Sequence, residues 1–274
     1  MTMRGRTAIE QAILRSGKRT AFIPFVSAGD PNEDVSFRIL LDLAQFSDVI
    51  EVGIPYSDPL ADGPVIQAGS QRALQAGMTL PKALRLIARV RAVSDVPLVV
   101  FTYVNPVVQY GVDALMQACA DAGADGLIIP DLPFEESAET REAATRRDLA
   151  LIPLISLTSH ERVQMIAASA TGFAYCVSSL GVTGERASFA AELRAFVDAV
   201  KRASSVPVAV GFGVSSARHV RELAEFADGV IVGSAIVRRC EEIQNALTSG
   251  DAARLDASVE ALSAFARELS EAGR

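Results

Sequence analysis

Cysteine and histidine are scarce in this chain of 274 residues. The cysteines lie far apart without a C-x-x-C pair, and the two histidines cannot complete a metal-binding set with them. These counts argue against a disulfide framework and against a structural zinc site. We therefore expect no metal site, a cytoplasmic protein, and reduced thiols at Cys119, Cys176 and Cys240.

Long apolar runs and strong charge of one sign are also missing. No stretch reaches the about 18 apolar residues that a transmembrane helix needs, and residues 1–20 lack the apolar core of a signal peptide. The net charge of −7 arises from 33 acidic and 26 basic residues mixed along the chain. This pattern argues against binding to nucleic acid or to an anionic membrane. Hydrophobic residues make up 50%, which allows a large core.

Short apolar strands alternate with helical patterns along the whole chain. Eight strands are predicted, and they are too apolar for a sheet with one wet face. One ends at Pro55, and the others cover 20–26, 97–103, 126–130, 149–156, 173–178, 207–213 and 228–234. Such alternation indicates a parallel α/β sheet. Eight units of this length predict a single-domain (β/α)8 TIM barrel over residues 1–274, with extra N-terminal and C-terminal helices at 8–16, 235–248 and 252–271.

Several connecting segments carry cap or turn signals. Asp30 and Pro31 predict the N-cap and first turn of the helix after the first strand. The segment after Pro55 is predicted as a long loop and then one helix at 80–93, and residues 104–106 are predicted as a loop.

Two carboxylates near the second strand are candidates for proton chemistry. Side chains alternate between the faces of a strand, so Glu51 lies opposite Ile50 and Val52 and faces whatever the strand encloses. Burying an unpaired carboxylate is unfavourable, which favours a chemical role for Glu51 over a structural one. Asp62 lies on the following loop and is expected to stay ionised, and this contrast between the two carboxylates can separate an acid from a base. Asp58 is interpreted as a turn former.

The predicted active site lies at the C-terminal ends of the strands, as is usual for such barrels. The candidates there are Glu51, Tyr103, Asp131, Tyr175, 211–213 and 233–234. Strands seven and eight end in glycine and lead directly into helices, whose N-terminal N–H groups favour an anion. We therefore expect a phosphate ester as ligand. No strand ends at one of the three lysines, Lys18, Lys82 and Lys201, which argues against a Schiff-base aldolase.

Five motifs occur in an order that is specific to one protein family. They read FIPFVSAGDP, GIPYSDPLADGPVIQ, GVTG, GFGVSS and VGSAIV, and the similarity covers about residues 20–237. In this order they closely resemble the tryptophan synthase alpha chain. The resemblance implies a lyase that cleaves indole-3-glycerol phosphate to indole and D-glyceraldehyde 3-phosphate without a cofactor. Glu51 would move protons at C3 of the indole and at the side-chain hydroxyl, while Asp62 would hold the indole N–H.

The resemblance also implies binding residues and a partner chain. The substrate-binding residues would be Phe22, Ile66, Tyr175 and Phe212, to which we add Tyr103 from its strand end; the phosphate would be held by Gly184, Gly213, Gly233 and Ser234. In the family, the alpha chain docks on a beta chain that carries pyridoxal phosphate, in an α2β2 tetramer, and passes indole to it through a tunnel. The docking loops correspond to 55–59 and 105–106.

Three positions depart from the family pattern. Ser179 stands where many members carry arginine, and Tyr56 and Val65 replace the commoner phenylalanine and threonine. These changes concern closure of the loop around GVTG and its coupling to the beta chain. Three other functions stay open at this point: a stand-alone indole-3-glycerol phosphate lyase, a non-catalytic subunit that activates a beta chain, and a phosphate-binding barrel isomerase. The isomerase shares the terminal glycines but leaves the SDPLADGP loop unexplained.

Overall fold

A parallel sheet of short strands forms the centre of the structure, a computed structural model that describes residues 3–177, 186–211 and 213–274. Within these ranges the sheet has nine strands: β1 Ala21–Ser27, β2 Ile50–Gly53, β3 Leu98–Phe101, β4 Gly126–Ile128, β5 Ala150–Ile152, β6 Leu154–Ser156, β7 Ala174–Val177, β8 Val208–Gly211 and β9 Gly229–Val232. Their order is β5-β4-β3-β2-β1-β9-β8-β7-β6. Every pairing between neighbours in this order is parallel.

The two ends of this order are consecutive in sequence. Only Pro153 separates β5 from β6, so the single strand predicted at 149–156 is wrong, and two strands of three residues stand in its place. Proline has no amide hydrogen and interrupts a strand ladder where it occurs. The two halves of one interrupted strand thus bring the sheet round into a nearly closed barrel, and the predicted α/β barrel is confirmed.

Helices connect the strands and cover the outside of the barrel. The described residues contain α1 Gly5–Leu14, α2 Glu33–Ala44, α3 Pro64–Gln75, α4 Leu80–Arg91, α5 Val104–Tyr110, α6 Val112–Asp121, α7 Ala138–Thr145, α8 Val163–Ala168, α9 Arg186–Ala203, α10 Ala217–Leu223, α11 Ser234–Thr248 and α12 Ala252–Ala272. Short 3-10 helices lie at Phe134–Glu136 and Leu157–Arg162. The extra helices at both ends of the chain are confirmed as α1, α11 and α12.

Three local predictions are corrected by the structure. Helix α3 occupies part of the predicted long loop; its cap residue Gly63 makes no side-chain capping bond, so the usual polar start signal is absent. Helix α5 replaces the loop predicted at 104–106. Asn32, not Asp30, caps α2: its side chain accepts a hydrogen bond of 2.9 Å from the N–H of Val35. Asp30 is buried and pairs with Arg72 instead.

Strand alternation divides the core into two layers. Outward-facing Phe22 of β1 and Ile50 and Val52 of β2 belong to the large cluster between the sheet and the helices. Inward-facing Ile23 belongs to the cluster that fills the barrel, together with Ile9 of α1. Because the helical face is apolar as well, both faces of each strand are removed from water, as expected for a parallel sheet.

Helix α1 closes the end of the barrel at which the strands begin. Ile9 and Ile13 are buried in the barrel-filling cluster, and the N–H of Gly5 donates to Asp125, directly before β4, at 2.8 Å. The opposite end, where the strands finish, is left for the connecting loops. None of the helices within the described ranges is long and apolar enough to span a membrane.

Candidate active site

A cavity of about 440 Å³ opens at the C-terminal ends of the strands. This volume lies in the range typical of small-molecule sites. Its described lining comes from the strand ends and following loops: Phe25, Glu51, Ala61, Asp62, Gly63, Ile66, Phe101, Pro130, Leu154, Tyr175, Val177, Gly213, Val214, Ser215, Ile231, Gly233, Ser234, Ala235 and Arg238. The wall is largely apolar, with two carboxylates on one part and a helix N-terminus on another.

Glu51 lies on β2 with its side chain directed into this cavity. It is 1% exposed, and its Oε1 has no hydrogen-bond partner among the described residues. Burial disfavours the ionised form and raises the pKa of Glu51 to about 8. At neutral pH the group is therefore mostly protonated and can act as a proton donor.

Asp62 reaches the same cavity from the loop between β2 and α3. The loop fixes its backbone: the N–H of Asp62 donates to the carbonyl of Pro59 at 3.0 Å, and Gln67 donates to the Asp62 carbonyl at 2.8 Å. Burial raises the pKa of Asp62, and interaction with the Tyr103 hydroxyl opposes that rise. The sequence predicts an ionised Asp62 on a wet loop; in the structure its side chain is half-buried, and the Tyr103 hydroxyl favours the carboxylate form against the effect of burial.

Tyr103 stands behind Asp62 rather than in the cavity wall. Its side chain is buried, and its hydroxyl makes no hydrogen bond of normal geometry within the described ranges, although it interacts electrostatically with the Asp62 carboxylate. Burial first, and the charge of Asp62 second, raise the pKa of Tyr103. The hydroxyl thus stays protonated and can stabilise the carboxylate form of Asp62.

The aromatic wall of the cavity is built by Phe25 and Phe101. Their rings meet edge to face with centroids 5.4 Å apart. Gly53, next to Glu51 on the inward face of β2, makes room for them, because a Cβ atom there would lie 2.5 Å from the Phe25 ring. Phe22 does not line the cavity, which corrects its predicted place in the substrate pocket: it lies three residues earlier on β1, on the outward face.

Two other predicted pocket residues do line the cavity. Ile66, on the first turn of α3, packs with Phe25 and Val237 at its edge. Tyr175 of β7 is buried, and burial, with a further contribution from Glu51 and Asp62, raises its pKa. Its ring occupies the space that a side chain at Gly211 would need. Phe212 lies outside the described residues.

The glycine-rich strand ends meet on the other side of the cavity. Gly213 adopts a φ of 76°, a left-handed conformation that favours glycine, after β8. Gly233 precedes α11, whose first residues Ser234 and Ala235 line the cavity. The predicted phosphate-binding residues Gly213, Gly233 and Ser234 are therefore brought together. Gly184 and Ser179 lie outside the described residues.

The lining residues that were not foreseen from the sequence include Phe25, Phe101 and one charged side chain, Arg238. Arg238 lies on α11 four residues after Ser234 and contributes to the cavity wall. Residues four apart share one face of a helix, so this spacing is the signal that could have revealed it.

The two predicted docking segments lie next to each other in the structure. Asn105 Nδ2 donates to the Tyr56 hydroxyl at 2.9 Å, and the Tyr56 and Tyr103 rings lie 5.4 Å apart. Large apolar side chains are exposed beside both segments: Leu60 is 94% and Val108 63% exposed. This surface adjoins Asp62, so a protein bound here would lie close to the cavity.

This arrangement suits a reaction that moves a proton and spreads charge over an apolar ring. A buried carboxyl group of raised pKa and a second carboxyl group line one aromatic-walled cavity, and the N-terminus of α11 lines it as well. Within the described ranges, no group of three or more His, Cys, Asp or Glu side chains is placed to hold a metal ion.

Comparisons with known proteins agree with one another. The family model for the tryptophan synthase alpha chain matches residues 12–272. The tryptophan synthase alpha chain of Halalkalibacterium halodurans is 48% identical over 256 residues, which cover 93% of this chain and 96% of that one. Its counterpart in Geobacillus kaustophilus is 49% identical over 250 residues, which cover 90% of this chain and 92% of that one.

Solved structures give the same result. Tryptophan synthase subunit alpha from Legionella pneumophila superposes with a TM-score of 0.85 at 32% identity, covering 98% of both chains. A chain of tryptophan synthase from M. tuberculosis superposes with a TM-score of 0.82 at 33% identity, covering 99% of both.

Proposed function

The chain belongs to the tryptophan synthase alpha chain family, and from that premise we propose how its cavity carries out the family's reaction. The protein is a lyase of tryptophan biosynthesis that cleaves indole-3-glycerol phosphate to indole and D-glyceraldehyde 3-phosphate. The observation that carries the residue assignment is that Glu51, buried and with its pKa raised to about 8, lines one cavity together with Asp62. No cofactor on this chain takes part in the proposed steps.

The cleavage starts with a proton from Glu51. Protonation of C3 makes this carbon tetrahedral and leaves a positive charge that is shared with the ring nitrogen. Ionised Asp62 accepts a hydrogen bond from the ring N–H and stabilises that charge. The Glu51 carboxylate then takes the proton of the side-chain hydroxyl.

Bond breaking follows from this proton transfer. The electron pair of the C3–C bond returns to the ring and restores indole, while the former hydroxyl carbon becomes the aldehyde of glyceraldehyde 3-phosphate. Glu51 ends the cycle protonated, as it began. One residue that both donates and accepts a proton needs a pKa close to the working pH, and burial provides this for Glu51.

The two ends of the cavity hold the two ends of the substrate. Phe25, Phe101, Ile66 and Tyr175 would contact the indole ring, and the N-terminus of α11 with Gly213 and Gly233 would bind the phosphate. Backbone N–H groups and the helix dipole both favour an anion at this position.

A beta chain is the partner that the family membership implies. We propose that it carries the pyridoxal phosphate, docks on the surface around Leu60 and Val108, and forms an α2β2 tetramer with this chain. The exposed apolar side chains and the Tyr56–Asn105 hydrogen bond between the two segments support this surface. A cytoplasmic location is proposed because all three cysteines are free and buried.

The decisive experiment measures indole release from indole-3-glycerol phosphate by the wild type and by Glu51→Gln, each with and without a beta chain. We expect Glu51→Gln to lose at least about a hundredfold in kcat, and the wild type to accelerate when the beta chain is added. The mass of the complex, measured by light scattering, tests the α2β2 stoichiometry.

Three outcomes would each contradict a different part of the proposed function. A Glu51→Gln variant with nearly full activity would remove the proposed acid. A wild type that is fast alone and indifferent to the beta chain would be a stand-alone lyase. A wild type without turnover that still accelerates the beta chain would be an activating subunit only.

A further inference from the structure

Arg238 is a positively charged residue at the end of the cavity where α11 begins. Of the described lining residues it is the only one with a positive charge, whereas Glu51 and Asp62 are acidic. Its side chain is exposed, and Arg238 takes part in none of the hydrogen bonds or ion pairs formed within the described ranges.

The neighbouring arginine shows the contrast. Arg239 Nη1 donates to the carbonyl of Ala235 at 2.9 Å, and its guanidinium lies over the Phe265 ring, 3.3 Å from the centroid. Arg239 thus fixes α11 against α12, on the side away from the cavity. Adjacent helical residues point in different directions, so one arginine is used for packing and the other faces the cavity.

Helix geometry places Arg238 beside the proposed phosphate position. Ser234 and Arg238 are one turn apart on α11 and both line the cavity. Cβ atoms four residues apart on a helix are about 5–6 Å from each other, a distance that the flexible arginine side chain can span. A phosphate at the helix N-terminus would thus lie within reach of the guanidinium.

The charges of the cavity favour a positively charged side chain near the proposed phosphate. A phosphate ester that enters this cavity adds negative charge to a site whose described lining already holds two carboxyl groups, Glu51 and Asp62. The helix N-terminus offers only about half of a positive charge. A guanidinium binds phosphate through two parallel hydrogen bonds and remains charged at every working pH.

We propose that the Arg238 side chain binds the phosphate group of the substrate, in addition to the backbone cradle at Gly213, Gly233 and Ser234. This deepens the proposed function and rests on it, because the phosphate is that of indole-3-glycerol phosphate. Arg238 acts on binding and not on proton transfer, so it sets KM rather than kcat.

The test compares the wild type with Arg238→Met, Arg238→Lys and a matched control, Arg254→Met. Arg254 is an exposed arginine on α12, a helix that contributes nothing to the described cavity wall. Two quantities are measured: KM for indole-3-glycerol phosphate with beta chain present, and the dissociation constant of D-glycerol 3-phosphate by calorimetry. Indole, which has no phosphate, is the control ligand, and thermal midpoints report folding.

For Arg238→Met we expect both constants to rise about tenfold, the loss of one charge-assisted contact, while kcat and indole affinity stay within about twofold. Arg238→Lys keeps the positive charge but cannot form two parallel hydrogen bonds, so its two constants should lie between those of the wild type and those of Arg238→Met. Arg254→Met matches the wild type.

Equal constants for Arg238→Met and Arg254→Met would overturn the inference, and so would a wild type that does not bind glycerol 3-phosphate. A wild type that binds it but releases no indole would instead contradict the proposed function. In that case the calorimetry still decides the role of Arg238, because it needs no turnover.

Discussion

At the scale of single residues, Glu51 and Asp62 differ because of what surrounds each carboxyl group. Glu51 is fully buried, and its Oε1 has no hydrogen-bond partner among the described residues, whereas Asp62 interacts with the Tyr103 hydroxyl. Burial raises the pKa of both groups, and for Asp62 the Tyr103 hydroxyl opposes that rise. This difference makes the reaction sensitive to pH in two separate ways.

The first prediction concerns the pH dependence of kcat. Activity should fall above about pH 8 as Glu51 loses its proton, and on the acid side as Asp62 gains one. Because Tyr103 lowers the pKa of Asp62, Tyr103→Phe should move the acid limb to higher pH and leave the alkaline limb in place. Steady-state profiles of both proteins measure this. If Tyr103→Phe shifted the alkaline limb instead, Tyr103 would not act on the pKa of Asp62.

The second prediction concerns stability. The folded chain keeps the Glu51 proton up to about pH 8, but the unfolded chain loses it above the ordinary value of 4.5. Ionisation of the unfolded state therefore lowers the stability of the wild type as pH rises through this window. Glu51→Gln cannot ionise, so its stability relative to the wild type should increase by roughly 3 kcal/mol from pH 5 to pH 8.

Urea unfolding at both pH values measures the difference, and Glu260→Gln on the exposed face of α12 is the control. A stability difference between Glu51→Gln and the wild type that does not change with pH would mean that Glu51 is ionised in the folded chain.

The third prediction separates two phenylalanines on one strand. Phe25→Leu should raise KM for indole-3-glycerol phosphate about tenfold, because a cavity wall is lost. Phe22→Leu should lower the free energy of unfolding by about 1 kcal/mol and leave KM unchanged, because it repacks the outer core. Steady-state kinetics and chemical unfolding of both variants measure this. The reverse pattern would support the placement predicted from the sequence.

At the scale of elements, the sequence predicts β2 better than β1, for a physical reason. A charged residue between Ile50 and Val52 identifies the inward face of β2, and the structure agrees. In β1 all seven residues are buried and none is charged, so hydrophobicity alone cannot tell the face of Phe22 from that of Phe25. Helix α3 escaped prediction because Gly63 supplies no polar cap, and Arg238 because its role depends on where α11 lies.

The link between α3 and α11 is a second feature at this scale. Arg72 of α3 forms two hydrogen bonds with buried Asp30, at 2.8 and 2.7 Å, and approaches the carbonyl of Val237 on α11 at 3.4 Å. The helix that follows Asp62 is thus tied to the helix that begins at the phosphate site. Asp30, predicted as a helix cap, contributes to this contact instead.

The fourth prediction tests this link. Arg72→Met leaves the Asp30 carboxylate buried without its partner and should lower the free energy of unfolding by about 3 kcal/mol. The double variant Asp30→Asn/Arg72→Met should lose less, because no buried charge remains. Arg89→Met, which breaks an exposed pair with Glu33, is the control and should cost under about 1 kcal/mol. Equal losses in all three, measured by urea unfolding, would show that burial of the pair is unimportant.

At the scale of the whole molecule, one end of the barrel is packed and the other contains the cavity. Helix α1 fills the end where the strands begin, and the cavity occupies the end where they finish. We propose that the chain forms one domain, since one barrel-filling cluster extends from Ile9 through the strands to Tyr175. Stability and activity should therefore be separable by position.

The fifth prediction uses this separation. Ile9→Ala removes a fully buried side chain from the closed end and should lower the free energy of unfolding by about 3 kcal/mol. Its kcat and KM at 25 °C should match the wild type, and calorimetry should still show one cooperative transition. Two transitions, or a changed KM, would contradict the one-domain proposal.

The interruption at Pro153 also bears on how copies of this chain avoid one another. A sheet that is not fully closed by hydrogen bonds has two edges, and unpaired edges can recruit strands from other molecules into aggregates. Here both edges are strands of only three residues, β5 and β6, that share the proline between them. Short edge strands and proline are two of the means by which natural sheets resist such pairing. We therefore expect the residue that divides the strand to protect the barrel against aggregation as well.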